Sequence, residues 1–65
     1  MKHALLDYEV YRPPQFAKLA GVTRATIIRW IETGRLKAHR IGSRYYIPES
    51  ELTRIAVEAK QIISV

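Results

Sequence analysis

Residues 16–52 read FAKLAGVTRATIIRWIETGRLKAHRIGSRYYIPESEL, and three glycines divide this stretch into short segments. Gly21 follows a cluster of apolar residues, and Gly34 follows a longer segment with helical periodicity. Gly42 separates two runs that are rich in strand-forming residues. Glycine commonly ends helices and permits tight turns. The pattern therefore predicts two helices and a hairpin, joined by short connections.

The first predicted helix spans residues 13–20, after an N-terminal extension of residues 1–11. Pro13 suits a first helical turn, because the N–H that proline lacks would have no partner there. Apolar residues, among them Phe16 and Leu19, follow as a cluster at helical spacing. This pattern predicts a short helix.

The second predicted helix spans residues 23–33 and has two different faces. Thr23 is a favourable N-cap, and Gly34 closes the helix. The apolar face consists of Ile27, Trp30 and Ile31. The opposite face carries Ala25, Arg29 and Glu32, with Ile28 at the border. We expect the apolar face to pack, with Trp30 in the core rather than exposed for stacking, and the other face to point outward.

Residues 37–47 are predicted to form a hairpin, and residues 48–63 a longer C-terminal helix. The loop Gly42-Ser43 has glycine first, as a primed hairpin turn requires. Pro48 suits the start of the last helix. The predicted fold is mainly α with a small β-hairpin, which is the plan of a winged helix-turn-helix. Such a domain places its second helix in the major groove of DNA, while the hairpin reaches the neighbouring groove or backbone.

The composition limits the function. A chain of 65 residues suits one domain, and a net charge of +5 favours a polyanionic partner. Most of the cations are arginine, which binds phosphate and guanine well. There is no cysteine, and the two histidines lack spaced partners, so we expect no metal and no cofactor. No apolar run is long enough to span a membrane, no secretory signal is visible, and we expect a cytoplasmic protein.

Residues 16–52 resemble the excisionase and MerR-like family of winged helix-turn-helix DNA-binding domains. The matching positions are Ala17, Gly21, Val22, Thr23, Thr26, Ile27, Arg29, Trp30, Ile31, Gly34, Leu36, Arg40, Gly42, Arg44 with Tyr45 just after it, Glu51 and Leu52. They cover more than half of the chain. The resemblance implies binding to specific sites on double-stranded DNA, with the second helix in the major groove and the wing in the minor groove.

Three positions depart from the family pattern. Arg12 stands where relatives have a serine or threonine cap, so that cap is expected to be lost or supplied by another group. Ala20 replaces a leucine before Gly21. Ile28 stands where relatives often carry a tyrosine or arginine that reaches the DNA backbone. Ile28 would therefore either leave one phosphate contact unmade or pack against a neighbouring molecule.

Together, these patterns predict a set of DNA-contacting residues on the second helix and the hairpin. The set is Thr23, Arg24, Ala25, Thr26, Ile28, Arg29, Lys37, Arg40, Ser43, Arg44 and Tyr46. Arg29 is expected to pair with guanine, the alternative being a solvated arginine or a partner of Glu32. Thr23 and Arg24 lie at the helix start, where a phosphate contact competes with a capping or plain surface role. Ala25 would admit a thymine methyl group or allow close approach.

In the wing, Arg44 resembles the arginine that enters the minor groove in relatives, the alternative being a contact with a phosphate. Lys37 and Arg40 are expected at phosphates. Tyr45 and Tyr46 alternate along the strand, so only one of them can point inward, and the sequence leaves open which.

The C-terminal apolar stripe continues through Ala59, Ile62 and Ile63, beyond what a minimal winged domain needs. These residues are predicted to pack either against residues 4–10 or against a second protomer. We expect weak or DNA-dependent self-association.

The leading hypothesis is a prokaryotic, nucleoid-associated protein that acts as an excisionase-type recombination directionality factor or a small transcriptional regulator. It would bind adjacent sites cooperatively. The alternatives are the DNA-binding domain of a longer transposon recombinase and a protein-interaction module such as an antitoxin. We expect neither catalysis nor a small-molecule ligand, because the chain lacks a nucleophile with a base and a phosphate-binding glycine loop.

Overall fold

A computed structural model describes the backbone of residues 2–63 and the side chains of residues 2–56. The elements follow the order β1 (Val10–Tyr11), α1 (Pro13–Ala20), α2 (Arg24–Glu32), β2 (His39–Ile41), β3 (Arg44–Pro48) and α3 (Glu49–Ile63). The mainly helical fold with a hairpin is confirmed. Pro48, which the sequence predicts as the first residue of the last helix, instead ends β3.

The ends of α1 and α2 follow local chemistry. Thr23 Oγ1 accepts a hydrogen bond from the Thr26 N–H at 3.2 Å, which confirms the predicted N-cap of α2. At the start of α1, the Arg12 N–H donates to Gln15 Oε1 at 3.3 Å. Gln15 therefore takes over part of the capping role that a serine or threonine at position 12 would have. Gly21 ends α1 with φ 74°, a conformation that glycine adopts without steric cost.

The core lies where the two short helices meet the sheet and the start of α3. Its buried cluster consists of Phe16, Ala17, Ile27, Leu36 and Ile47. Side chains that pack against this cluster are Tyr11, Ala20, Val22, Trp30, Ile31, Ala38, Leu52 and Ile55. Trp30 therefore lies at the edge of the core, as the helical periodicity predicts.

The sheet has three antiparallel strands in the order β1-β3-β2. Strand β1 pairs Val10 with Pro48 and Tyr11 with Ile47. Its position is reinforced by the Tyr11 hydroxyl, which donates to Glu49 Oε2 at 3.0 Å. The predicted N-terminal extension thus contributes a strand to the sheet, so the wing is anchored at its base on both sides of β3.

Residues on both sides of β1 in the chain, His3 before it and Arg12 after it, lie against the outer face of the sheet and cover Tyr46. The His3 ring meets the Tyr46 ring edge-on at 4.6 Å between centroids, and the Arg12 guanidinium lies 5.5 Å from the same ring. Tyr8 forms a hydrogen bond with His39 on the neighbouring strand. Tyr46 is only 7% exposed. The ring of Tyr46, which the sequence predicts as a DNA-contacting residue, is therefore covered by His3 and Arg12.

Candidate nucleic-acid interface

Helix α2 presents one face away from the core. Thr23, Arg24, Ala25 and Arg29 are exposed, and Thr26 and Ile28 are half-buried. Ile27, on the other side of the helix, is fully buried. The two-faced helix expected from the sequence is thus present. The N-terminal half of α2, which in helix-turn-helix domains contacts base edges, is accessible.

Three exposed arginines on α2 and the wing have no protein partner among the described side chains. Among the described side chains, the guanidinium groups of Arg24, Arg29 and Arg44 form no hydrogen bond or ion pair. Arg29 in particular does not pair with Glu32, which removes the intrahelical alternative. Each of the three is exposed. The five N–H donors of each guanidinium group remain available to an external acceptor such as a phosphate or a guanine edge.

The wing turn exposes its basic side chain. Gly42 adopts φ 65°, and it joins β2 to β3 through the two-residue loop that the sequence predicts. Ser43 and Arg44 are exposed at this turn. The positive φ at Gly42 suits the first central residue of a type II′ turn, whose twist matches that of the flanking strands. The turn therefore carries Arg44 at the far end of the hairpin.

The accessible tyrosine of the wing is Tyr45, which the set predicted from the sequence omits. Tyr45 is half-buried and lies opposite Arg40 in the strand register. The Arg40 guanidinium lies 5.7 Å from the centre of the Tyr45 ring, within the range of a cation–π contact. Tyr45 and exposed Arg40 thus form a paired aromatic and basic surface beside the turn. The sequence alone does not show which of the two tyrosines is accessible, because the difference depends on the residues that cover Tyr46.

A buried carboxylate connects the wing to α3. Glu51 is 7% exposed and accepts a hydrogen bond from the Lys37 N–H at 2.8 Å. It also accepts from Arg54 Nε at 3.1 Å and Arg54 Nη2 at 2.9 Å. Arg54 Nη2 in turn donates to the Arg35 carbonyl oxygen at 2.7 Å. We call these four residues the clamp, since they fasten the segment between α2 and β2 to the third helix.

The clamp also sets the protonation of Glu51. Hydrogen bonds from Arg54 hold the pKa of Glu51 below its usual value, and the Lys37 N–H acts in the same direction, although burial opposes both. Arg54 is thus a structural residue, because it bonds to Glu51 and to the Arg35 carbonyl oxygen. Its spacing from Glu51 by three positions on a helix was the available signal.

The remaining predictions concern the C-terminal apolar residues, metal binding and membrane insertion. The side chains of Ala59, Ile62 and Ile63 lie outside the described residues. Within the described part of the chain, no group of three or more histidine or acidic side chains is placed to hold a metal ion. No described helix is both long and apolar enough to cross a membrane.

Two short helices joined at a glycine, followed by a hairpin with an exposed basic turn, define a winged helix-turn-helix protein. A family model described as a helix-turn-helix domain matches residues 10–56, from β1 into α3. The chain belongs to this family of excisionase-like DNA-binding domains. Comparisons with curated proteins and with solved structures gave no match.

Proposed function

We propose that this protein binds specific sites on double-stranded DNA, with α2 in the major groove and the β2–β3 turn in the minor groove. The observation that carries the proposal is the placement of Arg29 and Arg44. Both are exposed and lack partners among the described side chains, and they stand on the two elements that a winged domain applies to DNA. The clamp supports it, because it fastens the segment that joins these two elements.

We assign each residue of the proposed surface a role that fits its chemistry. At the start of α2, Thr23, Arg24 and Thr26 face the DNA backbone, where free N–H groups and positive charge favour phosphate. Arg29 reads guanine through a bidentate pair. In the wing, Lys37, Arg40 and Ser43 contact phosphates, and Arg44 enters the narrow groove. Tyr45 replaces Tyr46 as the tyrosine of this surface.

The biological role that we propose is that of a prokaryotic, nucleoid-associated excisionase-type factor or a small transcriptional regulator. The family match supports DNA binding, and helix-turn-helix domains of this family are generally non-enzymatic, so we assign no catalysis. Several copies on adjacent sites would bind cooperatively, with Ala59, Ile62 and Ile63 as the proposed contacts between protomers. A binding curve on duplexes with one site and with two sites tests this point. Equal affinity per site on both duplexes would rule out cooperativity.

The decisive experiment is selection of bound sequences from random duplexes, followed by titration of the enriched duplex at several salt concentrations. For Arg29→Ala we expect a loss of about 10- to 100-fold on the enriched site and little loss on unrelated DNA. For Lys37→Ala we expect a similar loss on every duplex and a salt dependence that is smaller by about one unit of log–log slope.

Lys18→Ala is the matched control. Lys18 is exposed on α1, so this variant has the same change in net charge but leaves the proposed surface intact. It should bind like the original protein. The proposal fails if no sequence is enriched, or if all three variants weaken binding equally, since charge alone would then explain the affinity.

A further inference from the structure

The outward face of α2 carries apolar side chains in its first half and charged side chains in its second half. In chain order, the residues on this face are Ala25, Ile28 at its border, Arg29 and Glu32. The first two are apolar, the third is a cation and the last is an anion. A helix face that contacted only phosphates would be polar or basic throughout. The apolar half therefore calls for a ligand with apolar groups.

Ile28 is the key residue, because the core does not account for it. It is half-buried, yet it is absent from the side chains that pack against the core cluster within the described residues. Ala25, one turn earlier, is fully on the exposed side. Neither residue can donate a hydrogen bond from its side chain. Their exposed parts are suited to apolar groups of a partner.

The major groove offers one common apolar group at its floor, the 5-methyl group of thymine. From the N-cap onward, the apolar side chains of Ala25 and Ile28 come first and Arg29 follows them. Ala25 and Ile28 are separated by about 4.5 Å along the helix axis, given a rise of about 1.5 Å per residue. Successive base pairs are about 3.4 Å apart. The two apolar side chains are therefore close enough together to contact the same or neighbouring base pairs, and Arg29 is close enough to contact the next one.

We infer that α2 reads thymine methyl groups through Ile28 and Ala25 immediately beside the guanine read by Arg29. This inference rests on the proposed function, since it requires α2 to enter the major groove. It names the class of site as a thymine-containing step next to a guanine. It also gives Ile28 a role in specificity in place of the backbone contact that relatives make at this position.

The test uses the duplex enriched by selection, with each thymine replaced in turn by deoxyuridine. Deoxyuridine keeps the hydrogen-bonding edge of thymine and lacks only the methyl group. Fluorescence anisotropy with the intact protein should show Kd rising about fourfold at each contacted thymine, and no change at thymines elsewhere. For Ile28→Ala, the unmodified duplex should bind about as weakly, and deoxyuridine at the position read by Ile28 should cause no additional loss.

Leu19→Ala provides the matched control, since Leu19 is an exposed aliphatic residue (56% exposed) on α1. This variant should retain the full response to deoxyuridine. Melting curves monitored by circular dichroism verify that both variants are folded, and the deoxyuridine scan of the unchanged protein needs no variant at all.

The outcomes separate the two proposals. Specific binding with no response to deoxyuridine at any position overturns the methyl reading and leaves the proposed function standing. A full response that persists in Ile28→Ala removes Ile28 from the contact. An enriched site that lacks thymine beside guanine also overturns the inference. If no duplex sequence is enriched, the proposed function fails, and the methyl reading fails with it.

Discussion

Removal of the Glu51 carboxylate should loosen the wing and destabilise the whole domain. In Glu51→Ala, the Lys37 N–H loses its acceptor at 2.8 Å, and the Arg54 guanidinium loses both of its bonds to this residue. A hydrogen bond to a charged acceptor contributes about 1.5–3 kcal/mol. The Arg54 side chain is 39% exposed, so water screens its pair and we count it at less than about 1 kcal/mol. The expected loss is about 2–3 kcal/mol.

Thermal unfolding at pH 7, followed by far-UV circular dichroism, measures this loss. For a domain of this size, about 2–3 kcal/mol corresponds to a decrease in Tm of about 10–20 °C. Glu32→Ala is the matched control, because it removes the same charge from an exposed position and should shift stability by less than about 0.5 kcal/mol. Glu51→Gln, which keeps the size and one acceptor, should fall between the two. If Glu51→Ala and Glu32→Ala melt together, the clamp does not stabilise the fold and the reasoning is refuted.

Three further outcomes follow from the same structure. Because the pKa of Glu51 is lowered in the folded state, its contribution to the free energy of unfolding is complete above the ordinary value of 4.5 and is lost as the pH falls through the folded-state pKa. Tm should therefore drop more steeply below pH 4.5 in the original protein than in Glu51→Gln. Parallel curves of Tm against pH would contradict this. Gly42→Ala meets no atom within 4 Å but forces alanine into positive φ, so urea unfolding should show a loss of about 1–2 kcal/mol, and an unchanged midpoint would mean that the turn adapts. Tyr46→Ala should cost about 3 kcal/mol or more by urea unfolding, against less than about 1 for Tyr45→Ala, and the reverse order would show that Tyr46 is not covered.

The parts of the fold that were predictable are those with local signals. Pro13, Gly21 and Gly34 mark helix ends through their own backbone preferences, and Gly42 does the same for the hairpin turn. The apolar periodicity then identifies the buried side of α2. Such signals act within a few residues of the chain, so they can be read without knowing the tertiary structure.

The parts that escaped prediction depend on contacts between distant segments. Strand β1 consists of two residues and exists because β3 pairs with it, which no local pattern indicates. Tyr46 lies on the face of the sheet opposite the core residue Ile47, and it is buried because His3 and Arg12 cover it. Leu19 belongs to an apolar cluster in the sequence but is 56% exposed, whereas Phe16 and Ala17 of the same helix are buried.

The candidate site divides in the same way. Helical periodicity places Ala25 and Arg29 on the outward side, and turn chemistry places Arg44 at the wing tip. The choice of Tyr45 over Tyr46, and the role of Arg54 in the clamp, required knowledge of the three-dimensional packing. The exposure of a side chain can thus be predicted where its own helix or turn decides it. It cannot be predicted where a second element covers or binds the side chain.

The central position of β3 has a consequence for how the chain folds. Helices α1 and α2 contact each other across a short turn, so their association closes only a small loop and can occur early. Strand β3 must then capture β2 from nearby and β1 from far back along the chain. We therefore expect the helix pair to form the folding nucleus and the sheet to complete late. Substitutions at Val10 should accelerate unfolding while leaving the refolding rate almost unchanged.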